Sequence, residues 1–406
     1  MNILFFSHYF PPEGNAPASR THENCKRWVK AGHQVDIITC EPNVPNGVIY
    51  PGYRNHWRHR EVIDGINVLR VWTYIASNEG TFLRIVNYVS YMISALLAML
   101  PRSKPDIVIA TSPQFFCGWA GVIYSWVRRV PFVLEIRDIW PESILVLGAI
   151  RNKLIIKFIE YFERKMYASA DKIVTVGEGY KRKLIEKGVP GENIDVVMNG
   201  IDRKFFVPRD PNLDLKGKLS ISNKFVCSYI GTIGMACGLD VVIRAGEILK
   251  KKNRNDIVFL LVGDGAVRAE LEAEAKQKNL NNVIFAGLID KNKIPDYLSI
   301  SDACLVHLKK AELFTSVMPS KIFEAAGMRR AIINGVSGFA AEFVTKANAG
   351  ILMEPDNENE LVRACERLAD NPEECKKYGQ SGYEYVVNNY DRETLAENYL
   401  KILKNM

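Results

Sequence analysis

Short apolar runs rich in Val and Ile recur along the whole chain, separated by stretches long enough for helices, and no other feature limits the fold so narrowly. Strand-like runs are Ile3-Leu4-Phe5-Phe6, Val35-Asp36-Ile37-Ile38-Thr39, Ile107-Val108-Ile109-Ala110, Phe132-Val133-Leu134-Glu135-Ile136, Lys172-Ile173-Val174-Thr175-Val176, Phe225 to Ile230, Ile257 to Val262 and Val283-Ile284-Phe285. Helical patterns between them include Thr21 to Lys30, Leu154 to Ala170, Val241 to Lys250 and Ala266 to Lys278. A strand buried on both faces reads as a continuous apolar run, and parallel neighbours need a crossover that a helix supplies. The expected class is therefore α/β, with parallel sheets wound on both sides.

A chain of 406 residues is too long for one ordinary core. The alternation pauses after Gly200-Ile201-Asp202 and restarts at Phe225 beyond the polar stretch 209–223, which puts a boundary between two similar domains near residue 205. Eight cysteines (25, 40, 117, 227, 237, 304, 365 and 375) show no CxxC or zinc spacing and are expected as reduced core residues. The chain opens on a strand without the basic and long apolar regions of a signal peptide, so a cytosolic location is expected. No metal site is visible.

Of the net charge of +7, most lies in the first 200 residues, with 24 Lys/Arg against 18 Asp/Glu. Arg54, Arg58 and Arg60 interleave with Tyr53, His56, Trp57 and His59, and a lysine-rich stretch runs from Arg151 to Lys187. That pattern suits nucleic acid, an anionic membrane surface, or a plain solvated face. Residues 85–100 are mostly apolar but shorter than a bilayer span, which leaves a buried helix or one resting in the lipid interface beside Arg84, Arg102 and Lys104.

Ligands of open parallel sheets bind beyond the carboxyl ends of strands, so the loops there hold the candidate chemistry. After Phe6, Gly14 among small residues lets backbone approach a phosphate, or simply turns the chain. After Ile136 comes Arg137-Asp138-Ile139-Trp140-Pro141-Glu142-Ser143, where Arg137 can bind phosphate and Asp138 a sugar hydroxyl, or the two can pair. Gly231-Thr232-Ile233-Gly234 and Gly263-Asp264-Gly265 follow strands but lack the dinucleotide GxGxxG spacing, so NAD has little support. In Val317-Met318-Pro319-Ser320-Lys321-Ile322-Phe323-Glu324, Pro319 suits a first helical turn, Ser320 a cap, and Lys321 and Glu324 share a face. Backbone amides, an ammonium and a carboxylate one turn on together suit a nucleoside diphosphate. An ordinary buried helix with a solvated lysine is the plainer account.

The opening glycine loop, Val197-Met198-Asn199-Gly200-Ile201-Asp202, Val262-Gly263-Asp264-Gly265, Val283-Ile284-Phe285-Ala286-Gly287, Ile294-Pro295-Asp296-Tyr297-Leu298 with Ser301-Asp302-Ala303, and Glu324-Ala325-Ala326-Gly327 stand in one order along the chain. With these landmarks the whole chain resembles the GT-B glycosyltransferases of family 4, and its Arg-Asp-x-Trp-Pro, Gly-Thr-Ile-Gly-Met-Ala and Pro-Ser-Lys-Ile-Phe-Glu runs resemble a bacterial surface-polysaccharide branch that includes N-acetyl-L-fucosamine transferases. The resemblance implies two Rossmann-like domains facing a central cleft: residues 1–205 binding acceptor, 206–385 binding nucleotide sugar, and a C-terminal helix at 386–406 packing back on the first. It implies retaining transfer from a UDP-sugar to a polyprenyl-diphosphate-linked saccharide in O-antigen or capsule synthesis. The enzyme would sit on the inner face of the cytoplasmic membrane, without nucleic acid, metal or further cofactor.

The family's paired glutamates stand eight apart; Glu324 matches the second, Ser316 holds the first position, and Glu312 lies four residues early. The family's diphosphate-binding arginine and lysine are replaced by Thr232 and Cys237. A leaving diphosphate needs positive charge, and Lys321, then Arg137, are the candidates to supply it. The implied donor site takes in Gly14, Gly231, Thr232, Gly234, Gly263, Ser316, Met318, Pro319, Ser320, Lys321 and Glu324, with Lys321, Arg137 and Asp138 nearest the chemistry. The rival readings are a UDP-sugar 2-epimerase and a non-enzymatic nucleotide-sugar sensor.

Overall fold

A computed structural model describes residues 1–44, 47–75, 81–99, 103–112, 114–139 and 153–406. They form two compact units, Met1–Asn199 with Arg392–Met406, and Gly200–Asp391.

The first unit is an eight-stranded sheet: β1 (Asn2–Phe6), β2 (Gln34–Cys40), β3 (Arg58–Ile63), β4 (Ile66–Val71), β5 (Ile107–Thr111), β6 (Phe132–Ile136), β7 (Lys172–Thr175) and β8 (Ile194–Val196), in the order β3-β4-β2-β1-β5-β6-β7-β8. All pairs are parallel except the edge hairpin β3–β4, which turns through Asp64 and Gly65, both at positive φ. Helix α1 (Ala16–Lys30) carries the chain from β1 to β2 in one direction across the sheet. By contrast α2 (Thr81–Met99), α3 (Phe115–Arg128) and α4 (Lys153–Ala168) carry it in the other direction. Right-handed crossovers then place α1 on one face and α2, α3 and α4 on the opposite face. The strand order reverses between β1 and β5, so the loops after these strands flank the switch point.

Helix α5 (Glu178–Glu186) connects β7 to β8, and between β8 and the second sheet lies α6 (Leu213–Lys218), inside the polar stretch that the sequence reads as a pause. Asn212 Oδ1 accepts from the Leu215 amide at 3.0 Å and starts that short helix. The second unit has β9 (Phe225–Ile230), β10 (Ile257–Val262), β11 (Val283–Gly287), β12 (Ala303–His307), β13 (Ala331–Gly335) and β14 (Gly350–Leu352) in the order β11-β10-β9-β12-β13-β14, all parallel. Its switch point lies between β9 and β12. The helices are α7 (Asp240–Lys251), α8 (Arg268–Gln277), α9 (Ile294–Ser299), α10 (Lys321–Gly327), α11 (Phe339–Lys346), α12 (Glu358–Asp370) and α13 (Pro372–Asn389). The alternation thus marks the sheets correctly, and every residue of β5, β6, β10, β12 and β13 is buried.

Two local differences from the sequence expectation have physical causes. Helix α1 begins at Ala16, five residues before Thr21, because Asn15 Oδ1 accepts the Ala18 N–H at 2.9 Å and Pro17 fits the first turn. The glycine loop after β1 is correspondingly short. The basic aromatic stretch ends in β3, where its side chains find partners inside the unit: His59 Nδ1 meets Glu41 at 3.2 Å, and the buried Arg70 guanidinium stacks 5.0 Å from the Tyr53 ring. Helix α2 lies on the sheet through Tyr91, whose hydroxyl donates to the Ile38 carbonyl at 2.7 Å. No helix among the described residues is long and apolar enough to cross a membrane.

The last helix, α14 (Arg392–Lys404), packs on α1. Trp28 Nε1 donates to the Ala396 carbonyl at 3.1 Å, and its ring meets Tyr399 edge-on at 5.2 Å. Trp28→Phe keeps an aromatic there but removes the donor, so the protein is expected to lose about 1 to 2 kcal/mol in urea denaturation. An unchanged midpoint would mean that α14 is not held by this contact.

Candidate active site

The second unit gathers its chemistry at the β9–β12 switch point. After β9, Gly231 adopts φ +146°, and after β10, Gly263 and Gly265 adopt +137° and +156°. The two loops run backbone against backbone. A Cβ on Gly263 would stand 2.0 Å from the Gly231 carbonyl oxygen, and one on Gly265 would stand 2.5 Å from that of Ile233. The loops are laced together as Gly231 N–H donates to Val262 O and Ile233 N–H to Asp264 O, each at 2.9 Å, while Gly263 N–H reaches Gly287 O at 2.9 Å. These glycines serve the close approach of main chains more than a turn.

Lys321, the first residue of α10, extends toward this loop. Its Nζ lies 3.5 Å from the centre of the Tyr229 ring and 3.2 Å from the point where a Cβ on Gly231 would be. The residue is half-buried as a whole but its ammonium is enclosed, and burial pushes its pKa down to about 8 against the opposing pull of the Glu324 carboxylate. A ring face is a weak partner for a full charge. Among the described residues no salt bridge includes this ammonium, although the Glu324 carboxylate attracts it, so the site holds a cation beside the glycine loop. Glu324, one turn further on α10, is half-buried and shares a small cavity with Lys321, Ile230 and Cys304.

Around this pair the remaining candidates divide. Met318, Pro319 and Ser320 are half-buried and lead directly into α10, with Pro319 O accepting from Ile322 N–H at 3.1 Å and Ser320 O from Phe323 N–H at 3.0 Å. The expected serine cap is not made: Ser320 is already helical (φ −60°, ψ −27°), and its hydroxyl forms no capping bond. A side chain in that backbone conformation is aimed away from the amides that a cap must reach. Ser316 is buried, and its Oγ donates to Leu313 O at 2.8 Å, closing the turn Glu312–Ser316. Thr232 is exposed, and its carbonyl accepts from the Tyr229 hydroxyl at 2.7 Å. Gly234 opens the turn Met235–Cys237 and has room above its Cα.

Two residues that the sequence does not single out fix this loop. Tyr229 supports both Lys321 and Thr232, though it reads as one more core residue of β9. His307 ends β12, with Nδ1 2.7 Å from the Cys237 carbonyl and Nε2 2.9 Å from the Asp356 N–H. A carbonyl only accepts and an amide only donates, so the ring is neutral with the proton on Nδ1, and burial lowers its pKa in agreement. A polar residue closing an otherwise apolar parallel strand was the available signal.

In the first unit, Gly14 is exposed with nothing within 4 Å of its would-be Cβ. Beside it, the buried Glu13 Oε1 accepts from Asn43 N–H at 2.9 Å and Val44 N–H at 3.1 Å. Arg137 is turned into its own unit: Nη1 donates to Pro17 O at 2.9 Å, and burial lowers its pKa to about 10. Its evident work is to tie the loop after β6 to the start of α1. Asp138 is half-buried on the same loop. Trp140, Pro141, Glu142 and Ser143 lie outside the described residues, as do Arg102 and Arg151. Among the described residues, no three His, Cys, Asp or Glu side chains are grouped to hold a metal ion.

Residues 15–200 match the glycosyl transferase 4-like domain, and residues 213–385 match the glycosyl transferases group 1 family. WcaI of Escherichia coli K12, a glycosyl transferase provisionally assigned to colanic acid biosynthesis, is 26% identical over 420 residues, covering 100% of both chains. The O-antigen chain mannosyltransferase C of Escherichia coli is 22% identical over 260 residues, 62% of this chain and 66% of that one. The crystal structure of Anabaena Alr3699/HepE in complex with UDP and glucose has a TM-score of 0.74 at 17% identity over 100% of both chains, a likeness of fold. Two parallel-sheet α/β domains in series, each with its loops at a switch point, make this a protein of the GT-B class. The chain is a glycosyltransferase, built from a 4-like domain followed by a group 1 domain.

Proposed function

We propose that this enzyme transfers a sugar from a UDP-sugar, with retention of configuration, to a polyprenyl-diphosphate-linked saccharide during surface-polysaccharide synthesis. The observation that carries the donor half is the enclosed ammonium of Lys321 on the Tyr229 ring beside the Gly231 loop, with Glu324 one turn away. In this reading the diphosphate lies along the Gly231–Gly234 backbone and the residues leading into α10, Lys321 neutralises it, and Glu324 accepts from the ribose hydroxyls. The acceptor oxygen bonds to the anomeric carbon on the face that the diphosphate leaves. Its proton passes to the departing phosphate oxygen, so no protein base is required. Asp138 contacts the acceptor or the sugar.

The names of WcaI and of the O-antigen mannosyltransferase support a surface-polysaccharide acceptor, and the UDP complex of a protein of the same fold supports the nucleotide. N-acetyl-L-fucosamine is the sugar that the motif resemblance favours. A lipid-linked acceptor also implies work at the inner face of the cytoplasmic membrane.

Incubating a panel of labelled UDP-sugars with the enzyme, with and without a polyprenyl-diphosphate-linked acceptor, tests this. Transfer to the lipid fraction is expected; isomerised sugar would favour the epimerase reading, and binding without turnover the sensor. Glu324→Gln weakens acceptance of hydroxyl hydrogen bonds and should reduce UDP affinity roughly tenfold or more, since hydrogen bonds to a charged group contribute about 1.5 to 3 kcal/mol. Calorimetric titration giving wild-type affinity in a folded variant would remove Glu324 from the donor site.

A further inference from the structure

On the face of the first sheet covered by α2, α3 and α4, the helices leave apolar residues facing outward. Trp126 and Val127 of α3 are 57% and 60% exposed, and Phe158 and Tyr161 of α4 are 64% and 51% exposed. They belong to one ridge, because ring contacts join the two helices: Trp126 to Trp119 at 6.2 Å, Trp119 to Phe162 at 5.7 Å, and Phe162 to Phe158 at 4.7 Å. A helix that faces only water places charge at such positions. A contiguous exposed aromatic ridge marks a surface that meets something else.

The exposed charges of these three helices have one sign. Helices α2 and α3 contain no Asp or Glu. In α4, Glu163 is buried against Lys187 and Tyr167 and Glu160 is half-buried, while Lys157, Arg164 and Lys165 are exposed among the rings. We propose that the α3–α4 ridge is the surface on which this protein rests on an anionic lipid bilayer, its rings at the boundary of headgroup and acyl chain and its cations on lipid phosphates. The inference rests on the membrane-linked acceptor proposed above and assigns the surface that serves it. A second copy of the chain would set cations against cations, and so fits the ridge poorly. The Tyr53–Arg60 stretch is a weaker seat, because Tyr53 and His59 are already engaged by Arg70 and Glu41.

Full-length protein is sedimented with phosphatidylcholine vesicles and with vesicles in which about 30% of the lipid is phosphatidylglycerol. Wild type is expected to bind the anionic vesicles, and less so as salt rises. The exposed double variant Trp126→Glu with Phe158→Glu should bind them at least about tenfold more weakly with an unchanged melting temperature, while Trp57→Glu with Arg58→Glu stays near wild type. Equal binding by wild type and the ridge variant overturns this surface and leaves the membrane reading standing. Wild type that ignores anionic vesicles at low salt overturns both. A concentration-dependent dimer in sedimentation equilibrium that the ridge variant abolishes, without any vesicle binding, would hand the ridge to a second copy.

Discussion

Lys321→Ala is expected to lower turnover by at least about 100-fold, far beyond any loss of donor affinity, on the scale of a lost preorganised electrostatic contact. The reason is that this chain lacks the basic residues at Thr232 and Cys237 and holds one enclosed ammonium beside the same loop, 3.2 Å from where a Gly231 Cβ would stand. Lys321→Arg keeps the charge but changes its reach, and should restore only part. The same lysine sets a pH dependence. Its folded pKa of about 8 is below the ordinary 10.5, so kcat/KM should fall as pH rises through about 8 and the free enzyme loses the charge. The arginine variant should not show that limb.

The sign for stability is opposite. Below pH 8 folded and unfolded chains both hold the proton, and the fold bears the full cost of an enclosed charge. Between about 8 and 10.5 the unfolded chain holds more protons, so the contribution of this group to stability rises with pH. Lys321→Met, similar in volume and uncharged, should therefore raise the melting temperature at neutral pH while abolishing most turnover. A variant that is inactive and also less stable would point to a packing role instead. Near-normal turnover in Lys321→Ala would reject the electrostatic assignment altogether and return attention to Arg137, whose alanine variant is the side-by-side comparison.

The second large effect is at Gly263. Gly263→Ala is expected to cost more than about 3 kcal/mol in urea denaturation, combining backbone strain at φ +137° with a main-chain clash that no rotamer can relieve. The added methyl carbon would meet the Gly231 carbonyl oxygen at 2.0 Å, so the loops after β9 and β10 must separate, and the Gly231 N–H to Val262 O bond between them must lengthen. With the Gly231 loop as the floor of the proposed donor site, UDP affinity should fall together with stability. Gly14→Ala is the control. Its methyl meets nothing within 4 Å, and its expected cost stays within about 0.5 kcal/mol. A Gly263→Ala protein as stable as wild type would mean that the two loops are not packed main chain to main chain.

The readings at Ser320 and Ser316 show how far local pattern carries. Ser-x-x-Glu before an apolar run is a good cap signal, yet Ser320 makes no cap, because its own backbone is already helical (φ −60°, ψ −27°) where a capping residue stays extended. The position that matches the family's first glutamate holds a serine whose hydroxyl is spent on Leu313. Both outcomes depend on backbone conformation that residue identity biases only weakly. Strands β12, β13 and β14 escaped the sequence reading for a related reason: short runs that end in His307, Gly335 or Leu352 do not separate by periodicity from buried helix.

What the sequence by itself determined is the class of fold and the neighbourhood of the chemistry. Strands buried on both faces must be continuous apolar runs, crossovers must be long enough for helices, and loops that follow such strands carry ligands; all three constraints are local and leave a mark in the order of residues. What only the tertiary structure decided is which loops meet. Lys321 stands ninety positions from Gly231 in the chain, and its pKa is lowered by burial against Tyr229 of β9, in spite of the opposing pull of Cys237, Glu324 and Cys304. The exposed ridge of α3 and α4 is likewise invisible in either helix alone, since the same apolar stripe could have faced a core. Burial, charge state and outward face are properties of packing between distant segments, and packing is settled by the sum of many weak contacts that no single stretch of sequence contains.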